Sequence, residues 1–241
     1  MNKNIKLLLG FIYIICLAAL LYVVFSYLDY RDLRDLRDLS FVKETSESLL
    51  EYKKNNFFLL IVLFFIFSSI WVFFLGFGSP IAIMSGYIFG SWYGTFISVL
   101  SFTFGSSFLY LFAQFYFSKI IKKKLSKKTK PYINFFKKNE FLYFMLFRFT
   151  GGAGIPFGIQ NILPVIFNMK LKNYVYSTFI GLFPTIFVIN SLGSGIENII
   201  TTDKSYSYLS IISNPHIYLP LLAFLLLLII SYFVKNRIFK N

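Results

Sequence analysis

Residues 147–165 bring together side chains that could bind a phosphate group inside an apolar stretch. Arg148 carries a planar guanidinium that can donate two parallel hydrogen bonds to phosphate oxygens. Gln160 and Asn161 add neutral donors and acceptors. Three glycines between them would let the backbone approach a headgroup closely, namely Gly151, Gly152 and Gly154. The residue types indicate anion binding rather than catalysis.

The same stretch is too interrupted by glycine and proline, Pro156 included, to form one spanning helix, and too apolar for a water-exposed loop. Irregular backbone at membrane depth persists only where protein or a polar cavity shields it, and such segments mark transport pathways. Structural roles stay open: Arg148 could extend to lipid headgroups, and the two amides could satisfy the broken backbone. A second stretch with similar punctuation adds Pro80 and Gly86 as candidate binding residues.

Composition places the chain in the membrane. Its 241 residues are 57% hydrophobic and 22% aromatic, with mean hydropathy +0.68, well above the apolar share of soluble domains. His216 is the only histidine and Cys16 the only cysteine, so we expect no catalytic residue, metal site or cofactor and no enzyme activity. A net charge of +14 fits a basic face against anionic lipid, and we expect no nucleic acid partner.

Hydrophobic runs predict an all-α multi-pass membrane protein. The runs cover residues 7–28, 57–75, 93–117, 173–192 and 216–234. In each half an apolar arm, a Gly/Pro break and a short second arm precede a full spanning helix, which is typical of an inverted repeat. We therefore predict two re-entrant hairpins, each followed by a transmembrane helix, plus N- and C-terminal transmembrane helices. The predicted divisions are 1–56, 57–197 and 198–241.

Charge predicts the orientation. Residues 119–138 carry nine lysines and no acid, so this loop and the basic C-terminus are expected in the cytoplasm. The side of the N-terminus depends on whether 57–75 dips or spans, and the repeat favours a dip. Residues 31–39 repeat Arg-Asp-Leu and indicate either an amphipathic surface helix or a salt-bridged connector. We expect a cell membrane location, with a bacterial inner membrane as the host.

The second interrupted segment resembles the DedA/VTT-domain family, also called SNARE-associated Golgi proteins. The matching positions are Arg148-Phe149, Gly151-Gly152, Pro156-Phe157, Asn161, Pro164, Lys170, Lys172, Gly181, Pro184 and Leu192-Gly193. The first segment adds Pro80, Gly86, Phe89-Gly90 and Gly94. The resemblance covers about residues 57–197 and implies transbilayer movement of phospholipids or of a polyprenyl phosphate.

The chain also departs from that family. Arg148 stands eight residues before Pro156, where about six are expected, and residues 74–96 contain no acid. Ala113-Gln114-Phe115 stands where an arginine is frequent. These differences weigh against proton-driven movement and leave passive movement open.

Other functions stay open from the sequence. An ion or small-solute secondary transporter would share the broken helices but would usually carry coupling carboxylates at membrane depth. A membrane assembly factor would not need an arginine there. Membrane lipids are the expected partners, and Gly86 and Gly90 in a small-x-x-x-small pattern also permit a homo-oligomer.

Overall fold

A computed structural model describes residues 10–13, 15, 18, 19, 22, 39–74, 76–120, 123, 136–152, 154–201 and 215–238. The chain divides into two compact units, Met1–Tyr52 and Lys53–Asn241. The predicted connector at 31–38 and most of the lysine run lie outside the described residues. So does most of the predicted first helix, of which residues 10–13, 15, 18, 19 and 22 are described as helical. The first unit otherwise contributes the start of a helix at Leu39.

Every regular element among the described residues is helical. The elements are α1 (Leu39–Phe73), α2 (Gly78–Phe89), α3 (Ser91–Tyr116), α4 (Glu140–Phe149), α5 (Phe157–Ile162), a 3₁₀ helix (Leu163–Phe167), α6 (Leu171–Thr201) and α7 (Pro215–Ile238). Three described stretches are long and apolar enough to cross a membrane: Glu51–Phe73, Ser91–Tyr116 and Leu171–Ile200. The all-α prediction with several spanning helices is confirmed to that extent.

Glycine and proline end these helices where the sequence predicts breaks. In the first segment Pro80 lies in the first turn of α2, where its missing N–H costs no hydrogen bond. Gly90, at φ 80°, ends α2. In the second segment Gly151, Gly152 and Gly154 all have positive φ and end α4, a conformation that favours glycine because it lacks a Cβ.

Helix α6 continues past the glycines that suggested its end at residue 192. It reaches Thr201, with Pro184 inside it. Gly193 allows this because the α2 backbone lies against it: a Cβ there would stand 2.0 Å from the Ile83 carbonyl oxygen. Tertiary packing outweighs the low helix propensity of glycine here.

The chain between the start of α1's apolar part and α3 leaves one end of the helices and returns to it. The Phe57 ring packs edge-on against Phe89 and Tyr93, with centroids 6.1 and 6.4 Å away. Phe73, sixteen residues further along α1, packs on Phe112 near the other end of α3. Helix α2 then runs back toward Gly90. Residues 57–90 thus form a hairpin whose two ends meet.

The second interrupted segment does the same at the opposite end of α3. A carboxylate oxygen of Glu140 accepts hydrogen bonds from the Lys170 backbone N–H (3.1 Å) and the Asn173 side chain (2.6 Å). Gln114, near the end of α3, donates to the Asn168 side chain at 3.0 Å. We call this the lysine end; its exposed lysines are Lys119, Lys137, Lys138, Lys170 and Lys172.

The interrupted regions of the two hairpins meet beside the middle of α3. A Cβ on Gly78 would stand 3.3 Å from the Phe102 ring and 3.5 Å from the Phe157 ring. Phe102 and Phe157 themselves pack with centroids 5.7 Å apart. Gly78 and Phe157 are the first residues of α2 and α5, so the two returning arms begin next to each other.

Candidate functional site

Arg148 lies in the last turn of α4 and is fully buried. Its guanidinium carbon stands 4.9 Å from the Phe144 ring centroid and 5.4 Å from that of Phe157. Such cation–π contacts compensate part of the lost hydration. The two rings come from the arms on either side of the glycine break. The hairpin therefore encloses the cation instead of directing it to solvent.

Neutral oxygens receive the guanidinium hydrogen bonds. Nη1 donates to the Gln160 amide oxygen at 3.2 Å, and Nη2 donates to the Asn161 amide oxygen at 2.6 Å. Nη2 also reaches the Tyr174 hydroxyl at 3.3 Å. That hydroxyl lies 3.2 Å from both the Ser106 and Asn161 carbonyl oxygens, so it can donate to one of them. Helices α3, α4, α5 and α6 all contribute to this cluster.

No carboxylate neutralises Arg148 in the described structure. Glu140 is the only acidic residue between positions 52 and 196. It stands eight residues earlier on α4, about 12 Å along the helix axis, and its carboxylate binds Lys170 and Asn173 instead. A buried charge without a counter-ion is costly, so the site holds positive potential that an anion would relieve.

Two donors in the cluster have no partner. Arg148 Nε and Asn161 Nδ2 are buried and make no hydrogen bond. Leaving a buried donor unpaired costs about 1–3 kcal/mol each. Natural proteins retain such atoms at sites where another molecule can accept the bond. The arrangement therefore offers an incoming oxyanion two free hydrogen bonds in addition to the charge.

Gln160 separates Arg148 from the glycine break. Its Nε2 donates to the carbonyl oxygens of Gly151 (3.1 Å) and Ile155 (2.6 Å), while its Oε1 faces Arg148. Gly152 leaves room for it: a Cβ there would stand 2.0 Å from Gln160 Nε2. Both readings of Gln160 thus have a contact behind them, since it satisfies broken backbone and binds the cation.

The other predicted site residues lie at two places. Gly151, Gly154 and Pro156 are exposed at the break. Pro80 is exposed in the first turn of α2, and Gly86 is buried against α6, where a Cβ would stand 1.9 Å from the Asn190 carbonyl oxygen. The structure brings together Arg148, Gly152, Gln160 and Asn161. Gly86 serves a helix contact, and binding roles for it and for Pro80 stay predictions.

The sequence interpretation missed Tyr174, which is fully buried in the cluster. A signal existed in the spacing with Gly181, since seven residues place two side chains on one helix face. A Cβ on Gly181 would stand 2.6 Å from Arg148 Cβ, so α6 presents that face to the arginine. Ser106, which contributes a backbone oxygen, had no such signal.

Aromatic rings close the lysine-end side of the cluster. The Tyr174 ring stacks on Tyr110 (4.6 Å) and on Phe144 (5.4 Å). Beyond them Phe136 stacks on Phe167 at 4.4 Å. These rings belong to a buried core with Val165, Ile166 and Met169. Arg148 is therefore sealed toward the lysine end and lies closest to solvent at the glycine break.

Comparison with known proteins follows from this geometry. The model of the VTT domain family matches residues 75–195, half of the chain, and includes both interrupted segments. This chain belongs to the VTT domain family. The resemblance drawn from the Arg148, Pro156 and Asn161 pattern is confirmed.

Two relatives carry the name transmembrane protein 41 homolog. The one from Dictyostelium discoideum is 25% identical over 179 residues, covering 71% of this chain and 52% of its own length. The one from Caenorhabditis elegans is 24% identical over 177 residues, covering 70% of each. This chain spans about half the length of the first relative. No solved structure matches it. Family and spanning helices together make it a multi-pass membrane protein.

Proposed function

We propose that this protein moves phosphate-bearing lipids between the two leaflets of its membrane, with Arg148 as the central anion-binding residue. The observation that carries the proposal is the buried guanidinium with neutral partners only and two unpaired donors beside it. Phospholipids and polyprenyl phosphates share the oxyanion that this cluster suits.

The depth of the cluster supports this proposal. Tyr174 links Arg148 to Ser106, which is the sixteenth of the 26 residues of α3. At about 1.5 Å per residue, Ser106 lies about 22 Å from the start of α3 and about 15 Å from its end. A headgroup that crosses about 30 Å of hydrocarbon meets its largest barrier near the middle. A cation at that depth lowers this barrier for an anion.

The two interrupted segments support a path from opposite faces. We propose that residues 57–90 and 140–170 are re-entrant hairpins of an inverted repeat, the first entering from the face opposite the lysine end. The contacts that favour this are Phe57 with Tyr93 at one end and Glu140 with Lys170 at the other. Gly78 and Phe157 meeting beside Phe102 favours tips that join midway.

We propose that the headgroup reaches Arg148 from the glycine break. Rotation of the Gln160 side chain would open the way, because that amide alone joins the break backbone to the guanidinium. The phosphate would then accept from Nη1 and Nε in place of Gln160. Asn161 Nδ2 would supply a further bond, since it has no partner to give up.

Reconstitution tests the proposal. The purified protein would be placed in liposomes that carry a headgroup-labelled phospholipid in both leaflets, and an impermeant quencher would be added outside. Lipid movement predicts loss of nearly all fluorescence, whereas protein-free liposomes keep the inner-leaflet half. Parallel liposomes with a polyprenyl phosphate would distinguish the two lipid classes. Protection of the inner leaflet with both lipids would refute lipid movement.

The rival functions give different results in the same vesicles. A secondary transporter of ions or small solutes would accumulate or release an encapsulated solute while the inner-leaflet lipid stays protected. A membrane assembly factor would do neither. Glu140 binds backbone and amide groups at the lysine end, and it is the only acid between residues 52 and 196. A coupling carboxylate at membrane depth is therefore missing from this region, which favours uncoupled lipid movement.

A further inference from the structure

The lysine end carries a charge that the lipid path does not use. Residues 119–172 contain eleven lysines and Glu140 as the only acid. Arg148 also belongs to this stretch but is buried. The Glu140 carboxylate is occupied by the Lys170 backbone N–H and the Asn173 amide. The lysine side chains at this end therefore have no carboxylate from this region to neutralise them.

Three separate chain segments bring lysines to this surface. Gln114 ties the end of α3 to Asn168 at 3.0 Å, and Tyr110 donates to the Met169 carbonyl oxygen. Glu140 ties the start of α4 to the start of α6. Lys119 follows α3, Lys137 and Lys138 precede α4, and Lys170 and Lys172 flank the start of α6; all five are exposed.

Helix orientation adds to the positive potential. Helices α4 and α6 both begin at the lysine end, so the positive ends of their dipoles lie there. The α4 N-terminus is capped by the Asn139 side chain, which accepts from the Leu142 N–H at 3.1 Å. The lysines and the two helix starts together form a surface that attracts anions over about a Debye length.

Exposed apolar side chains next to these lysines indicate what the anion belongs to. Ile120 follows Lys119, Leu171 stands between Lys170 and Lys172, and Leu142 lies in the first turn of α4; these three apolar side chains are 53%, 39% and 38% exposed. A soluble polyanion would leave them in water. A bilayer surface accommodates both classes, because its headgroups meet the ammonium groups while its acyl chains cover the apolar side chains.

We infer that the lysine end is a binding surface for anionic phospholipid headgroups of the leaflet that it contacts. The surface gathers acidic lipids around the entrance of the second hairpin, between α4 and α6. This binding is an equilibrium property of the folded protein and is separate from any role of the lysines in setting orientation during insertion. It is also independent of lipid movement, since it involves no residue of the Arg148 cluster.

Lipid enrichment measures this binding directly. The protein would be placed in nanodiscs of phosphatidylcholine with a minor fraction of phosphatidylglycerol, and the lipids retained on release would be counted by native mass spectrometry. We expect the wild type to retain phosphatidylglycerol above its bulk fraction. Each lysine removed should lower this preference by about two- to fivefold. Raised salt should weaken it as well.

A charge-matched pair provides the control. Lys170→Gln with Lys172→Gln removes two charges from the lysine end, and Lys53→Gln with Lys54→Gln removes two from the start of α1's apolar part, near Phe57 at the other end. The first pair should lose the preference and the second should keep it. No preference in the wild type, or an equal loss in both pairs, would overturn the inference. Tight binding of a labelled oligonucleotide by the wild type in nanodiscs without lipid enrichment would also overturn it.

Discussion

At the scale of single residues, the site depends on how Gln160 is held between the glycine break and Arg148. Its amide makes three hydrogen bonds in opposite directions, two to the break backbone and one to the guanidinium. The side chain fits only because Gly152 has no Cβ. The break is thus both a backbone turn and a receptor for one amide, which makes the two glycines beside it a useful pair to compare.

Gly152→Ala should impair the site more than Gly154→Ala. Both residues have positive φ, 77° and 81°, so either alanine should cost about 1–2 kcal/mol in backbone strain. A Cβ at Gly152 would also displace Gln160, whereas a Cβ at Gly154 meets nothing within 4 Å. Thermal unfolding in detergent should show similar losses from strain plus an extra loss for Gly152→Ala. Only that variant should slow lipid equilibration in liposomes.

Equal behaviour of the two variants would contradict the role given to Gln160. The sequence predicted Arg148, Gln160 and Asn161 as one site, because an arginine and two amides beside a glycine break share one chemistry. It left open whether Gln160 binds the headgroup or the backbone. Only the distances settle that it contacts the backbone at Gly151 and Ile155. Tyr174 joins from a helix 26 residues after Arg148, a separation that no local pattern spans.

At the scale of elements, α2 is held against α6 by two glycines facing backbone. A Cβ on Gly86 would stand 1.9 Å from the Asn190 carbonyl oxygen, and one on Gly193 would stand 2.0 Å from that of Ile83. Close approach of two backbones through small residues is a usual way for helices to pack in membranes. It fixes the returning arm of the first hairpin on the longest described helix of the second unit.

Gly86→Ala should therefore reduce stability rather than lipid affinity. Backbone atoms cannot rotate away, so α2 and α6 must separate, which typically costs 1–3 kcal/mol or more. Met84→Ala is the matched control, because Met84 is exposed on the same helix. We expect a lower melting temperature for Gly86→Ala and little change for Met84→Ala. A Gly86→Ala protein that melts like the wild type but no longer moves lipid would restore Gly86 as a binding residue.

At the scale of the whole molecule, the account depends on which ends of the helices share a face. The sequence predicted the apolar runs and both breaks well, because hydropathy over about 20 residues and Gly/Pro punctuation are local signals. It could not predict that Phe57 returns to Tyr93, since that contact depends on α1 and α3 packing over 36 residues of chain. The orientation and the host membrane stay predictions, and both relatives come from eukaryotes.

Cysteine labelling tests the predicted orientation. Cys16→Ser removes the single cysteine, and Lys137→Cys or Tyr93→Cys then places one thiol at either end of the described helices; both side chains are exposed. With the lysine end in the cytoplasm, an impermeant maleimide applied to intact cells should label Tyr93→Cys and spare Lys137→Cys until the cells are permeabilised. Labelling of Lys137→Cys in intact cells would invert the proposed orientation.

Lipid equilibration by Arg148 variants tests the central claim most directly. We predict that Arg148→Ala inserts and folds but leaves labelled phospholipid moving at the protein-free rate. Arg148→Lys should move it at an intermediate rate, because lysine keeps the charge but loses the planar fork. Thr185→Val is the control, since it removes one hydrogen bond to the Phe149 carbonyl beside the break and leaves Arg148 intact. Wild-type rates in Arg148→Ala, or its failure to accumulate while Thr185→Val does, would contradict the account.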